Sequence, residues 1–357
     1  MFVMKYIVFI YFFLYSYVSF GQKETALKHI TALSSPQMYG RGYVHNGVGV
    51  AADYIDSCFY SYKLQTCKTL EGYRQRVTFN VNMFPGIVTL CINDTIDLTP
   101  GLDFIIASNS PAAKYKTDNI VKTTKLQIAQ GKLSDVSLRN SILVLDERLC
   151  NVTNERIEEV TKGFQALRYQ KNEFKAVVEI SNKKLTWDVS ERVGTFPYFY
   201  VNSARVPTTI SSISYHVEQS YIPKYTTYNI CGFVPGTVYP DSLIVITAHY
   251  DHLGMMGSKT MFPGANDNAS GVAMMLTLAE YYTKHPPHKT IVFIALTGEE
   301  VGLQGSFACV QNPPFPLNKV NFLINIDLAG TGDEGIQIVN STIYKQKAAI
   351  IDSLNAL

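Results

Sequence analysis

Six residues that can bind a cation or move a proton stand close to the ends of short apolar runs: His249, Asp251, Asp267, Glu299, Glu300 and Asp327. They belong to a weakly charged chain, 17% Asp, Glu, Lys and Arg, so their gathering is not a by-product of a polar surface. One imidazole and several carboxylates at one place would disfavour each other's ionisation unless something neutralised them. A divalent metal resolves that conflict, and the pattern points to a metal hydrolase. Nitrogen with carboxylate oxygen suits zinc, and two ions sharing a carboxylate can polarise a carbonyl and supply a metal-activated water near neutral pH. The imidazole favours zinc over calcium, while cobalt and manganese are compatible with the same donors.

The apolar runs say what must hold these residues. Leu243–Thr247 is short, β-branched and apolar, which predicts a strand buried on both faces with His249 after its C-terminal end. Thr290–Leu296 leads in the same way into Gly298, Glu299 and Glu300, and Asn321–Ile326 into Asp327. Between the first two runs Ser270 is expected to cap a helix reaching about Thr283, with Val272, Met275, Leu276 and Ala279 on its apolar face and Pro286 and Pro287 stopping it. Strands separated by helices imply a parallel arrangement, and ligands of such sheets gather outside the carboxyl ends of the strands. The fold class expected is α/β: a mixed, mostly parallel sheet flanked by helices, with a β-rich insert.

Four ordered segments carry a resemblance: ITAHYDHLG (Ile246–Gly254), PGANDNASG (Pro263–Gly271), ALTGEEVGLQGS (Ala295–Ser306) and NIDLAG (Asn325–Gly330). They resemble the successive metal-site motifs of the co-catalytic zinc exopeptidases related to aminopeptidase S and aminopeptidase Y. A looser likeness covers Leu33–Ile55 and the segment NICGFVPGT, so about half the chain is involved. The resemblance implies that His249 and Asp327 bind one zinc, Glu300 binds a second, and Asp267 bridges both. It further implies Glu299 as general base, passing a proton to the leaving amine, with Asp251 accepting a hydrogen bond from His249 to set its tautomer. It implies a cis peptide after Asp267. The family takes its last ligand for the second zinc from a histidine well downstream, and no histidine follows His288 here. The chain is therefore expected to be a C-terminally incomplete version of a longer enzyme, with a second site short of a ligand and a sheet needing more elements after Asp327. Ile336–Val339 is expected to supply a strand, and Tyr344–Leu354 a helix.

Plainer readings stand beside these. An aspartate after an apolar strand is more often a cap or turn former than a ligand, and it is the ordered set of four motifs that favours ligation. His252 matches no ligand position; a hydrogen-bonding or substrate-side role and simple exposure both fit it. His29, His45, His216, His285 and His288 have no motif around them and are expected to be solvated. The glycines at 264, 271, 298, 302 and 305 are expected to serve tight turns and close backbone approach.

Met1–Phe20 carries one lysine, Lys5, ahead of an apolar and aromatic run, with small or polar residues near Ser19–Gln22. This reads as a signal peptide over residues 1–21 rather than a membrane anchor, and implies an extracytoplasmic protein, periplasmic or secreted. The formal charge of +2 and the lack of a basic tract give no reason to expect nucleic acid. Export permits disulfides among Cys58, Cys67, Cys91, Cys150, Cys231 and Cys309; Cys58 with Cys67 is the nearest candidate, and buried free thiols fit equally. The organisation expected is residues 22–71 as the first part of a peptidase domain, 72–215 as the β-rich insert, positioned like a protease-associated domain, and 216–357 as the zinc core. Oligomeric state is not legible. The leading function is that of an aminopeptidase acting on peptides. Alternatives are a one-zinc glutaminyl cyclotransferase and a non-catalytic binding module that keeps the fold alone.

Overall fold

A computed structural model describes residues 22–130, 137–149, 174–332 and 335–355; the expected signal peptide and Cys150 lie outside them. The chain begins with helix α1 (residues 22–33) and α2 (Gly47–Tyr62), joined by the Gly-rich turn that the sequence suggested. Two strands follow, β1 (Gln65–Thr66) and β2 (Arg74–Met83). The chain then makes two smaller sheets from β3 (Val88–Ile92), β4 (Ile96–Leu98), β5 (Phe104–Ile106), β6 (Ala113–Thr117) and β7 (Ile120–Thr123), then helix α3 (Lys125–Ala129), β8 (Ile142–Asp146), β9 (Ala176–Ser181), β10 (Tyr198–Asn202) and β11 (Ile213–Val217). It returns as β12 (Ser220–Val234) and β13 (Tyr239–His249), a small hairpin of β14 (Gly254–Met256) and β15 (Thr260–Phe262), α4 (Gly271–Lys284), β16 (Lys289–Leu296), α5 (Gln304–Gln311), β17 (Val320–Asn325) and α6 (Lys345–Asn355).

The main sheet has the order β1-β12-β16-β13-β17, with β2 also paired to β12. Its three strands β16, β13 and β17 are parallel, and β12 runs against them. The sheet is mixed, as expected, and its parallel part is the part that ends in the motif residues. Helices on both faces explain why β13 and β16 read as continuous apolar runs. On one face Ala51, Ile55 and Phe59 of α2 and Val272, Met275, Leu276 and Ala279 of α4 pack over Ile246, Ala248, Phe293 and Ala295. On the other, Val245, Val292 and Ile294 meet Cys309 of α5. Among the described residues no helix is long and apolar enough to cross a membrane.

Several expectations are corrected. The insert does not begin at residue 72, because β2 forms a long antiparallel ladder with β12 and belongs to the main sheet; its alternating pattern could not show which partner it would find. Ser270 makes no N-cap bond: it already has helical φ and ψ, and its hydroxyl donates to the Asn266 carbonyl. Ile336–Val339 is not a strand, although the helix expected beyond it forms as α6. His29 is buried rather than solvated, held between the hydroxyls of Tyr54 and Tyr62. Cys67 lies not against Cys58 but with its Sγ 3.5 Å from that of Cys231; both are free thiols, and the Cys58 thiol interacts with Tyr54 and Tyr62. β17 is an edge strand, and its Leu323 and Ile324 are exposed.

Candidate metal centre

All the motif residues meet at the C-terminal edge of the parallel strands. His249 is the last residue of β13 and lies opposite Leu296 of β16 in register. Glu299 and Glu300 follow β16, and Asp327 follows β17, whose exit is tied to β13 by Ile326 N–H donating to the Thr247 carbonyl. Asp267 sits in a single π turn, Ala265–Ser270, just before α4, and its peptide bond to Asn268 is cis, as the resemblance implies.

Two groups of donor atoms result, one of His249, Asp267 and Asp327 and the other of His252, Asp267 and Glu300, each with its atoms within 4.8 Å of one another. They share Asp267. In the first, His249 Nε2 is 3.3 Å from Asp267 Oδ1 and 3.4 Å from Asp327 Oδ1. Donors about 2.0–2.1 Å from one tetrahedral zinc stand about 3.3 Å apart, so this set is already spaced for the ion. Burial works against a charge on His249, but Asp267 and Asp327 outweigh it and push its pKa up to about 11. In turn His249 holds the Asp267 carboxyl below its usual range. The site demands positive charge, and a proton on His249 or a dication between the three residues satisfies the same demand.

The support for His249 differs from expectation. Its Nδ1 is 3.2 Å from the backbone carbonyl of Asp251, and 3.8 Å from the nearer carboxylate oxygen, too long for a hydrogen bond. Nδ1–H donation to that carbonyl leaves the Nε2 lone pair facing Asp267 and Asp327. The fully buried Asp251 carboxylate instead accepts from the backbone N–H groups of Glu299 (3.1 Å) and Glu300 (3.3 Å) and from the Tyr43 hydroxyl (3.1 Å). It therefore fixes the turn that carries both glutamates. Burial raises the Asp251 pKa against the pull of His249 and these N–H groups. Burial also raises Glu299, with His249 opposing and the neighbouring carboxylates adding to it, which suits a residue that must take up a proton.

Four further residues hold the site and were given no role by the sequence. Buried Arg41 spends its guanidinium on backbone carbonyls of Leu33, Tyr250, Pro263, Gly264 and Asp267. Tyr43 meets Asp251 as described. Asn268 donates to the Ile326 carbonyl and accepts from the N–H groups of Gly271 and Leu328, while Asn266 accepts from Gly330 N–H; together they clamp the Asp267 turn to the Asp327 loop. The available signal was position, because Arg41 and Tyr43 lie in the looser Leu33–Ile55 likeness and both asparagines flank Asp267 in PGANDNASG. Gly264 shows why that segment needs glycine: its φ is +59°, and a Cβ would lie 2.3 Å from the Asp267 carbonyl oxygen and from His252 Cδ2. His252 is not exposed. It is 6% accessible, and its Nδ1 is 2.7 Å from Glu300 Oε1.

Residues 229–356 match the sequence profile of Peptidase family M28. This part of the chain is similar to the M28 peptidases. A stretch of 114 residues is 37% identical to a probable zinc metalloprotease of Pyrenophora tritici-repentis, covering 31% of this chain and 24% of that protein. Another 38% identity extends over 113 residues of aminopeptidase YwaD of Bacillus subtilis, 30% of this chain and 23% of the relative. The match thus spans about a quarter of the length of these curated relatives. Beyond the M28 region the fold itself is shared: a zinc aminopeptidase from Bacillus subtilis superposes with a TM-score of 0.58 at 21% identity, covering 87% of this chain and 70% of that one. A peptidase M28 precursor from Shewanella amazonensis gives 0.57 at 19% identity, covering 87% and 74%.

Proposed function

We propose that this protein is a zinc exopeptidase, an aminopeptidase that removes N-terminal residues from peptides. The observation that carries the reading is Asp267, one carboxylate shared by two imidazole–carboxylate groups with Glu299 beside them. The M28 match and the likeness to YwaD support it. Zinc fits the donors present: nitrogen and carboxylate oxygen, spaced for one ion in the first group, with Asp267 and Glu300 offering carboxylates to a second. Held there, it would polarise the scissile carbonyl and make a bound water acidic near neutral pH.

The chain's own residues do the rest. His249, Asp267 and Asp327 would hold the first ion, and Asp267 and Glu300 would offer carboxylates to a second. Glu299 takes up the proton of the attacking water, aided by its raised pKa, and delivers it to the departing amine. Asp251 keeps Glu299 and Glu300 in register through their N–H groups. Two donor groups sharing a carboxylate favour this reading over a one-zinc cyclising enzyme.

The test is hydrolysis of amino-acid anilides beside N-blocked peptides. Cleavage of the free-amine substrates alone, abolished by a zinc chelator and restored by zinc, is the expected result. Cleavage that survives the chelator, or equal cleavage of blocked peptides, would overturn the assignment. The same reading includes export, supported by the Met1–Phe20 pattern and checked by finding the N-terminus of the mature protein near Gln22 outside the cytoplasm.

A further inference from the structure

We propose that Cys67 and Cys231 are an oxidisable pair that closes to a disulfide, stapling the edge strand β1 to β12. The inference is independent of the peptidase reading: it concerns buried thiols beneath α5 to which no motif gives a role.

The backbone brings the two cysteines together. β1 pairs antiparallel with β12 through Gln65 with Phe233 and Thr66 with Gly232, and the next pair in that register is Cys67 with Cys231. Residues directly opposite in an antiparallel ladder stand about 4.5–5.5 Å apart at Cα, inside the roughly 4.4–6.8 Å that a disulfide spans. The sulfurs are already 3.5 Å apart, a gap that rotation about the two Cα–Cβ bonds closes. The backbone ladder stops short of them, because the Cys231 N–H donates to the Tyr73 carbonyl, and a bond between the sulfurs would extend the tie by one residue.

The surroundings favour the reaction and set its order. Both cysteines are buried among Leu243, Val245, Val292 and Ile294, where a disulfide, having no polar hydrogen, is at least as well placed as two thiols. Cys231 is fully enclosed, whereas Cys67 follows a two-residue edge strand whose residues are both exposed, so a short local opening presents it. The hydrogen bond between the sulfurs also favours a thiolate at Cys67 and disfavours one at Cys231. The Cys67 thiolate attacks an external disulfide, such as oxidised glutathione, releasing one half of it and leaving a mixed disulfide on Cys67. Cys231 then attacks the Cys67 sulfur and releases the other half. Two cysteine thiols thereby lose two electrons, their two protons pass to the departing sulfurs, and one external disulfide becomes two thiols. Cys309 of α5 lies in the same apolar layer and is the rival partner; burial raises its pKa to about 11, which holds it as the thiol.

The test is peptide mass mapping of the full chain, both native and refolded from denaturant, after equilibration with excess oxidised glutathione and blocking of free thiols. A Cys67–Cys231 cross-link in either sample, reversed by dithiothreitol, is the expected result. The loop so closed contains the whole insert, so the oxidised wild type should melt about 5–10 °C above the reduced form, as for a bridge of typical strength. C67S and C231A should show no such redox-dependent shift, and C309S should keep it in full. If C231A fails to fold, the mapping and C67S decide. Recovery of both cysteines as free thiols or glutathione adducts in both samples, or Cys67 joined to Cys309 instead, would overturn the proposal. A cross-link that does not raise the melting temperature overturns it as a staple. Peptidase activity enters neither readout, so a negative result here leaves the metallopeptidase reading untouched.

Discussion

The molecule contains the same local pattern twice, with opposite outcomes. In the insert, β8 is a fully buried parallel strand that ends in Asp146, and its neighbour β9 carries Glu179. In the main sheet, parallel strands lead into His249, Glu299, Glu300 and Asp327. The insert neutralises its acids from within: Arg148 grips Asp146 with Nε and Nη2 at 2.8 and 2.7 Å, and Glu179 receives Lys125 Nζ at 2.6 Å and the Tyr198 hydroxyl. The main-sheet acids find imidazoles and one another. What separates a structural carboxylate from a metal-seeking one here is whether the fold provides its cation. The apolar run before it is common to both.

The sharpest test of that contrast is in turnover. Glu299→Gln should keep zinc and fold but lower kcat by about 10²–10⁴-fold, the range for removal of a general base, whereas Asp146→Asn should leave kcat near the wild-type value. Glu300→Gln should chiefly weaken the second ion, and equal metal loss in the two glutamine variants would break the division of roles.

A second effect concerns the cation that the main site has but does not use as a counter-ion. Arg41→Met would leave buried carbonyls without donors, and because each such group costs about 1–3 kcal/mol, the loss of unfolding free energy should exceed that of one hydrogen bond. Zinc affinity should fall with it, since Asp267 and the Pro263–Gly264 turn lose their tether. Unchanged zinc affinity in a folded variant would show that Asn266 and Asn268 suffice.

Breaking a charge pair should depend on zinc in one region and not in the other. Arg148→Ala leaves Asp146 buried without its partner and should destabilise the protein by about 1–3 kcal/mol. Asp327→Asn should lower the melting temperature of the metal-free protein near neutral pH, because it removes one of the two carboxylates that hold the proton on His249, and should lower it further, relative to wild type, in zinc. Calorimetry with and without zinc reads both. The smallest effect is in pH. Arg148 holds the Asp146 pKa below its usual range, so the pair's contribution is full above the unfolded carboxyl value of about 3.9 and fades as pH falls through the lower folded value. The stability gap between wild type and Asp146→Asn should therefore be flat near neutrality and shrink only in strong acid; a gap that narrowed near pH 6 would point to a different group.

The parts legible in the sequence were those written in local periodicity. The runs before His249 and Glu299 predicted buried strands, the run before Asp327 predicted a strand that forms but lies exposed at the sheet edge, and the spacing of Val272, Met275, Leu276 and Ala279 predicted the inner face of α4. Partnerships across long separations were not legible. Arg74–Met83 alternates like any half-buried strand, Gln65–Thr66 is too short to show a pattern, and only the ladder to β12 assigns both to the main sheet. Arg41 looks like a surface arginine until five carbonyls from distant segments converge on it. His252 shares its tetrapeptide with His249, yet its burial depends on Gly264 and Arg41. Asp251 was read as the partner of His249 because the two are close in sequence, and the backbone carbonyl takes that role while the carboxylate turns to the Glu299–Glu300 turn.

Met83 faces Ser220 across β2 and β12, so the insert leaves and re-enters the sheet at one point. Arg41 must meet Asp267, 226 residues later, and joining such distant segments costs entropy that grows as the logarithm of the loop between them. A folded insert, its two ends already side by side, shortens that loop to the residues outside it. The insert thus acts on assembly as a clasp: once it has closed, less than half of the chain between the segment that carries Arg41 and the turn that carries Asp267 is left open.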